Sequence, residues 1–292
     1  MPVTKAVIPA AGFGTRFLPA TKSVPKEMLP VVDTPTIQYV VEECVESGIT
    51  DILMVIGRGK RALEEHFYSS EELEKRLEAT GQVTLLENVR YISEMANIHF
   101  VWQKELNGLG DAVSHGRTFV GNDPFALLLG DTILRPTDST KPILRQMMEV
   151  HETKKASVVA LEEVARDKVS RYGIAGGTGI TDNILTLDQL VEKPSPEEAP
   201  SNLAVAGRYI FQPEILDYLS RTPRGKNNEI QLTDAMAEML KDHGMYGFRF
   251  AGKRYDIGSK LDFIKTNIEL GLAHDDISEE LAAYLKNIAA EL

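Results

Sequence analysis

The segment Ala10-Ala11-Gly12-Phe13-Gly14-Thr15-Arg16 has the residue types of an anion site. Glycines let a backbone approach a phosphate chain with no side chain in the way. Successive backbone N–H groups in such a loop form a concavity that holds negative charge. Arg16 adds a planar fork of donors that suits phosphate oxygens. The loop follows a short apolar run, residues 5–9, which places it at the C-terminal end of an expected strand. Open α/β sheets bind ligands at that end. Taken alone, the two glycines also fit a plain tight turn.

Two other phosphate loops are excluded. A dinucleotide fingerprint needs a third glycine where Phe17 stands, and a helix directly after the loop. Pro19, Pro25 and Pro30 forbid that helix. Asp33 lies at a tempting distance for a ribose contact, but the strand–helix–strand unit it requires is missing. A loop ending in Gly-Lys-Ser or Gly-Lys-Thr occurs nowhere in the chain. The six histidines show no metal-ligand spacing, so zinc is not indicated.

Bulk charge sharpens the contrast. A net charge of −11 over 292 residues argues against nucleic acid as a partner, since a basic surface supplies that affinity. The first thirty residues run the other way: Lys5, Arg16, Lys22 and Lys26 face only Glu27, a local charge of +3. That suggests a site for a small anion, although so short a segment can reach +3 by chance. The single cysteine, Cys44, excludes an intrachain disulfide framework. No apolar stretch approaches the ~20 residues of a membrane span. The N-terminus reads as a first buried strand, not a signal peptide. A cytoplasmic location with no membrane partner is therefore expected.

The elements that must position these residues follow from periodicity. Thr34 and Pro35 predict an N-cap and a first helical residue. Ile37, Val40, Val41, Cys44 and Val45 then give a buried helical face ending at Gly48. On that face Cys44 is core rather than a reactive thiol. A strand is predicted over 51–56, helices over 61–67 and 71–79, a strand over 98–103 and a helix over 111–119. A strand over 125–129, a helix over 144–154 and a strand over 157–161 complete this stretch. Such alternation indicates a largely parallel sheet covered on both faces. Beyond about residue 164 the texture changes. Strands are expected over 172–175, 184–191 and 203–211, helices over 214–219 and 232–241, two strands over 245–251 and 254–257, and a helix over 260–271. The final segment carries Ile277, Leu281, Tyr284, Leu285, Ile288 and Leu292 on one helical face, with Asp276 and Glu279 as a capping pair. That face either docks on its own core or contacts another copy.

The run from Gly12 to Val31, Gly-Phe-Gly-Thr-Arg-Phe-Leu-Pro-Ala-Thr-Lys-Ser-Val-Pro-Lys-Glu-Met-Leu-Pro-Val, resembles the signature of the sugar nucleotidyltransferase family. The resemblance extends to Val191-Glu192-Lys193-Pro194, to the segment 201–209 and to the segment 229–235. It is weakest at about 60–95 and in the C-terminal helix. It implies a three-layer αβα nucleotide-diphospho-sugar transferase fold, with a mixed, mainly parallel sheet and a smaller sugar-facing lobe. Residues 1–272 would form one domain, with a nucleotide-binding part at about 1–164 and a sugar-binding part at about 165–272. Residues 273–292 would form a helix for packing or oligomer contact.

The reaction so implied is attack by a sugar 1-phosphate oxygen on the α-phosphorus of a nucleoside triphosphate, with pyrophosphate leaving. Its nucleophile is already an anion, so the demand is for positioning and cationic stabilisation. By resemblance, Arg16 and Lys26 lie beside the triphosphate and the leaving group, and Lys193 faces the sugar phosphate. Asp131 ends a buried apolar run, where a carboxylate can hold Mg²⁺ with phosphate oxygens. Asp256 resembles a second metal contact. Ala10, Ala11, Gly12, Gly14, Thr15, Glu27, Gln103 and Gly108 match nucleotide-binding positions, and Gly173, Glu192 and Val205 match sugar-binding ones. UTP and glucose 1-phosphate are the implied substrates, UDP-glucose and pyrophosphate the products, and a homo-oligomer (dimer or tetramer) the implied assembly. Glu27 weakly favours uridylyl over thymidylyl transfer, because thymidylyl relatives tend to carry Gln there. A dTTP-dependent enzyme acting on the same sugar phosphate, or an inactive regulatory subunit of the same fold, are the alternatives.

Overall fold

The computed structural model of the chain describes residues 1–137 and 141–291; Leu292, expected on the face of the last helix, lies outside the described residues. The chain begins with β1 (Lys5–Ala10). The glycine loop and three single turns at Thr15–Phe17, Ala20–Lys22 and Lys26–Met28 follow. These are short because the prolines interrupt anything longer. A two-residue ribbon pairs β2 (Pro30–Val31) with β3 (Thr34–Pro35). Thr34 and Pro35 therefore do not cap and start a helix as expected. Pro35 is extended, and the N–H and hydroxyl of Thr36 both donate to the Leu29 carbonyl at 3.2 and 3.0 Å. That contact fixes the start of α1 (Thr36–Glu46), whose face of Ile37, Val40, Val41 and Cys44 is buried as predicted. Burial pushes the Cys44 thiol up, so it stays protonated.

β4 (Asp51–Ile56) pairs parallel with β1. Three helices, α2 (Arg61–His66), α3 (Glu71–Ala79) and α4 (Val83–Glu94), lead to β5 (Asn97–Trp102), which runs parallel to β4. Helix α4 was not anticipated, although Leu85, Leu86, Val89 and Ile92 stand at helical spacing; it buries only Leu86. The helix predicted over 111–119 is broken into α5 (Leu109–Ser114) and α6 (Arg117–Val120). At the break Gly116 packs tightly: a Cβ there would lie 3.1 Å from a Val7 methyl. β6 (Phe125–Leu128) is fully buried beside β1 and parallel to it. β7 (Thr132–Pro136), also not anticipated, follows directly after Asp131.

The remaining elements are α7 (Ile143–Lys154), β8 (Ser157–Glu163), β9 (Gly173–Gly179), β10 (Ile184–Glu192), β11 (Leu203–Phe211), α8 (Ile215–Arg221), α9 (Leu232–Met239), β12 (Met245–Arg249), β13 (Gly252–Asp256), α10 (Lys260–Gly271) and α11 (Ser278–Glu291). Helix α11 begins past Asp276, whose N–H is donated to His274 Nδ1 at 3.3 Å rather than serving a capping box.

The main sheet has the order β5-β4-β1-β6-β11-β8-β12-β10-β9. It is parallel from β5 to β6, and mixed beyond, where β11 runs antiparallel to both β6 and β8. β1 shows why it is covered on both sides. Ala6 and Ile8 join a cluster with α1 and α7, whereas Val7 joins one with α5, α8 and α9. This is the expected α/β three-layer arrangement, following from the period-two alternation of a strand. A small ribbon of β7 and β13 crosses beside the sheet and sets Asp256 opposite Thr132. Among the described residues no helix is long and apolar enough to cross a membrane.

Candidate active site

A cleft of about 470 Å³ opens where the loops after β1 and β6 face β11 and the ends of β9 and β10. Gly14, Thr15, Arg16, Lys26 and Asp131 line one side; Gly173, Glu192, Lys193 and Val205 line the other, and Asp256 also faces in. These residues are distant in sequence, and the sheet order brings them together. Ala10, Ala11, Gly12, Glu27, Gln103 and Gly108 stand behind or beside this cleft rather than on its walls.

The loop after β1 needs its glycine. Gly14 has φ +64°, and a Cβ there would lie 2.9 Å from the Lys26 Cβ. Its carbonyl accepts from the Thr21 hydroxyl at 2.8 Å. The tight fold slides Lys26 beneath Gly12 and aims its ammonium at Asp131, 2.5 Å away. Arg16 reaches across to the Gly258 carbonyl at 3.3 Å, and the Gly258 N–H is in turn donated to Asp256 at 2.8 Å. Ala10 and Ala11 are buried where β1 ends.

Electrostatics follow from this packing. Burial would lower the Lys26 ammonium, but the carboxylates of Asp131 and Glu27 outweigh it and raise its pKa. Burial would raise the Asp131 carboxyl, but Lys26 outweighs it and holds Asp131 below the usual carboxylate range. Both are therefore ionised at neutral pH. Glu27 lies almost wholly inside and bonds Lys60 at 2.6 Å, while Lys26 stands 4.0 Å from its other oxygen. Here burial dominates: it raises Glu27 and lowers Lys60. The result is an alternating row, Asp131–Lys26–Glu27–Lys60, running from the cleft into the interior.

On the opposite wall, Lys193 has φ +47° and its N–H is donated to the Tyr172 carbonyl at 3.0 Å. Its ammonium lies 3.0 Å from Glu192, whose second oxygen accepts from the Thr233 hydroxyl at 2.7 Å. Gly173 pairs with Glu192 across β9 and β10. A Cβ on Gly173 would lie 2.8 Å from the Thr233 oxygen, so only glycine fits without moving that pair. Val205 lies on β11 and is mostly buried.

Gln103 and Gly108 meet at the far side of the nucleotide half. Gln103 Nε2 donates to Asp111 at 2.6 Å and to the Gly108 carbonyl at 3.3 Å. Gly108 has φ +105° and is pressed against Glu229 and Ile230. The turn is thus tied to the start of α9, and Asn107 accepts from the Ile230 N–H at 2.7 Å.

Several cleft residues escaped the sequence reading. Arg254 lies over the Tyr172 ring at 4.3 Å and pairs with Glu162 at 2.7 Å. It stands two residues before Asp256 on one strand face, a spacing that could have flagged it. Thr233 lies within the flagged segment 229–235, but nothing there singled it out; Lys60, behind the cleft, carried no signal, since it acts only through its bond to Glu27.

Among the described residues no group of three or more His, Cys, Asp or Glu could hold a metal. The donor set that exists is Asp131 and Asp256, on chains joined by the bond from the Ile257 N–H to the Asp131 carbonyl at 3.1 Å. Two hard carboxylates suit Mg²⁺, which keeps several waters and takes its other oxygens from phosphates.

The nucleotidyl transferase family model matches residues 5–271. A curated UTP–glucose-1-phosphate uridylyltransferase from Staphylococcus epidermidis is 48% identical over 286 residues, covering 98% of each chain. A crystal structure of UDP-glucose pyrophosphorylase complexed with UDP-glucose superposes with a TM-score of 0.86 and 42% identity, covering 93% of this chain and 100% of that one. A UTP-bound UGPase from Acinetobacter baumannii superposes with a TM-score of 0.89 and 37% identity, covering 99% of both chains.

Proposed function

The chain belongs to the nucleotidyl transferase family, and from that premise we infer that it transfers the uridylyl group of UTP to glucose 1-phosphate, giving UDP-glucose and pyrophosphate. One observation carries the reading. A single cleft sets the glycine loop with Arg16, Lys26, Asp131 and Asp256 against Lys193 and Glu192. Two polyanions must meet in this reaction, and each wall offers its own cations.

In this reading the backbone of residues 10–15 lies along the triphosphate, and Arg16 and Lys26 hold the oxygens that become pyrophosphate. Lys26 keeps its proton because two carboxylates stabilise the ammonium, so its charge is in place before the leaving group forms. Lys193 screens the phosphate of the sugar, and Glu192, steadied by Thr233, accepts from sugar hydroxyls. Gln103 and Gly108 read the pyrimidine edge. Gly173 keeps the sugar wall close and Val205 offers its backbone. No side chain need act as a base, because the attacking phosphate oxygen is already ionised.

Asp131 and Asp256 would hold Mg²⁺, which when bound neutralises charge on the phosphate oxygens. Glu27 does not face the cleft; its proposed part in nucleotide binding is exerted through Lys26 and the loop. Residues 1–272 act as one catalytic domain, with the sugar-binding part beginning near 165. The cytoplasmic setting and the dimeric or tetrameric assembly belong to the same reading and rest on the sequence. Initial rates with UTP and with dTTP, each with glucose 1-phosphate, test it: UTP is the expected substrate, and a clear preference for dTTP would displace it.

A further inference from the structure

Arg208 is the largest wholly buried side chain among the described residues, and no part of the chemistry above uses it. It sits in β11, between residues that line the cleft. Val205, Gly207 and Tyr209 face the ligand side, so alternation turns Arg208 to the opposite face. The pairing of β11 with β8 is interrupted between Val205 and Tyr209, and Gly207 has φ +77°. The kink frees the guanidinium to pass beneath the loop that carries Asp131.

Its donors are all engaged there. Nη2 donates to the Thr132 carbonyl at 2.7 Å, and Nη1 donates to the carbonyls of Gly207 at 3.1 Å and Leu129 at 3.4 Å. Nε and Nη2 both lie 2.9 Å from Glu43 Oε2, so each of the five N–H groups has an acceptor. The other Glu43 oxygen accepts from the Leu144 N–H at 3.2 Å, at the start of α7. Leu129 and Thr132 flank Gly130 and Asp131, and both line the cleft. One planar group thus fastens three strands: β11 on the sugar side, and the ends of β6 and β7 on either side of Asp131. Burying a guanidinium is costly unless every donor is matched, and five donors in a rigid fork are what Arg alone provides.

We propose that Arg208, charge-balanced by Glu43, is a positioning residue that fixes the Asp131 carboxylate relative to the sugar-binding strand. It touches neither substrate nor metal. Its effect passes through the carbonyls of Leu129, Thr132 and Gly207, so its loss misplaces Asp131 while leaving the separate binding surfaces intact. This rests on the assignment of Asp131 as a metal-holding carboxylate in uridylyl transfer.

The test compares wild type with Asp131→Asn, Arg208→Lys, Glu43→Gln and Ile49→Ala. The last variant lowers stability from a core position away from the cleft. Turnover, the KM for each substrate, the melting temperature and binding of Mn²⁺ by the UDP-glucose complex are read, the last from the electron paramagnetic signal of the free ion. Arg208→Lys keeps the charge but loses the fork. It should lower turnover at least tenfold and weaken Mn²⁺ binding several-fold, with both KM values within about twofold of wild type. Glu43→Gln should shift the same two readouts by a smaller factor, and it decides the matter alone if Arg208→Lys does not fold. Ile49→Ala should move neither readout beyond what its melting temperature explains. Folded Arg208→Lys or, failing that, Glu43→Gln with wild-type turnover and Mn²⁺ binding overturns the proposal; so does a loss that matches Ile49→Ala at equal stability. Asp131→Asn separates the two levels. If it binds Mn²⁺ and turns over like wild type, the metal assignment itself is wrong. If it is impaired while the Arg208 and Glu43 variants are not, only the positioning role falls.

Discussion

Lys26 joins the glycine loop to the carboxylates of the cleft. It is packed under Gly14, bonded to Asp131 and within 4.0 Å of Glu27. A cation so placed is preorganised: its charge is oriented before reaction and need not be reorganised during it. Lys26→Ala should lower turnover by about 10²–10³-fold and should also lower the melting temperature, because Asp131 and Glu27 lose their cation; near-normal turnover of the folded variant would remove its role. Lys60 plays a different part, since it reaches only Glu27. Removing one partner of a buried pair strands the other charge, so Lys60→Met should cost about 3–5 kcal/mol of stability near neutral pH. Glu27 already titrates above the usual range because burial outweighs its two lysines, and without Lys60 it rises further. The folded variant would then take up a proton at a pH where the unfolded chain has none, so its deficit should shrink as pH falls through the raised pKa. Urea melts across the range from about pH 5 to about pH 8 read this, and a deficit independent of pH contradicts it.

At the level of elements, the cleft depends on close approaches that only particular backbones allow. Gly173 at the start of β9, Glu192 at the end of β10 and Thr233 in the first turn of α9 meet within bonding distance. A methyl on Gly173 must push Thr233 or Glu192 aside. Gly173→Ala should therefore raise the KM for glucose 1-phosphate about tenfold or more, the effect of losing one good contact, and leave the KM for UTP nearly unchanged. Equal changes in both would show that the sugar wall is not what the substitution disturbs. Much of this framework was legible in the sequence. The β1 loop, the α1 face and the strand Leu203–Phe211 followed from apolar periodicity and from glycine and proline positions. Helix α4 could have been read, since Leu85, Leu86, Val89 and Ile92 stand at helical spacing, although only Leu86 is buried. The rest escaped for physical reasons. β7 is stabilised by pairing with β13, from far along the chain, and its own residues do not announce it. Arg208 left one overlooked trace, a charge in the middle of an apolar strand run. Its meaning depends on Glu43 and on three carbonyls that only the folded chain brings near.

Across the whole molecule, an acidic protein carries a cleft rich in cations. The net charge is −11, yet Arg16, Lys26, Arg171, Lys193 and Arg254 all line the same opening. Asp131, Glu192, Glu229 and Asp256 line it too, so the opening is of mixed sign with a slight excess of cations, set in a negative surround that discourages unselective binding of polyanions. Nucleotide and sugar sides also share one continuous sheet, joined where β6 meets β11. They should therefore unfold together. The only tryptophan, Trp102, lies on β5 at one edge of that sheet, so its fluorescence reports the nucleotide side. Its denaturant transition should coincide with that of the far-ultraviolet circular dichroism, and two separated transitions would divide the chain into independent units. The central claim is that this cleft joins UTP to glucose 1-phosphate. The most direct measurement is pyrophosphate release by purified protein, with Mg²⁺ or with chelator, from UTP or dTTP. Release that requires glucose 1-phosphate and Mg²⁺ and is faster with UTP is the result expected; release that is absent, independent of the sugar phosphate, or clearly faster with dTTP would contradict it.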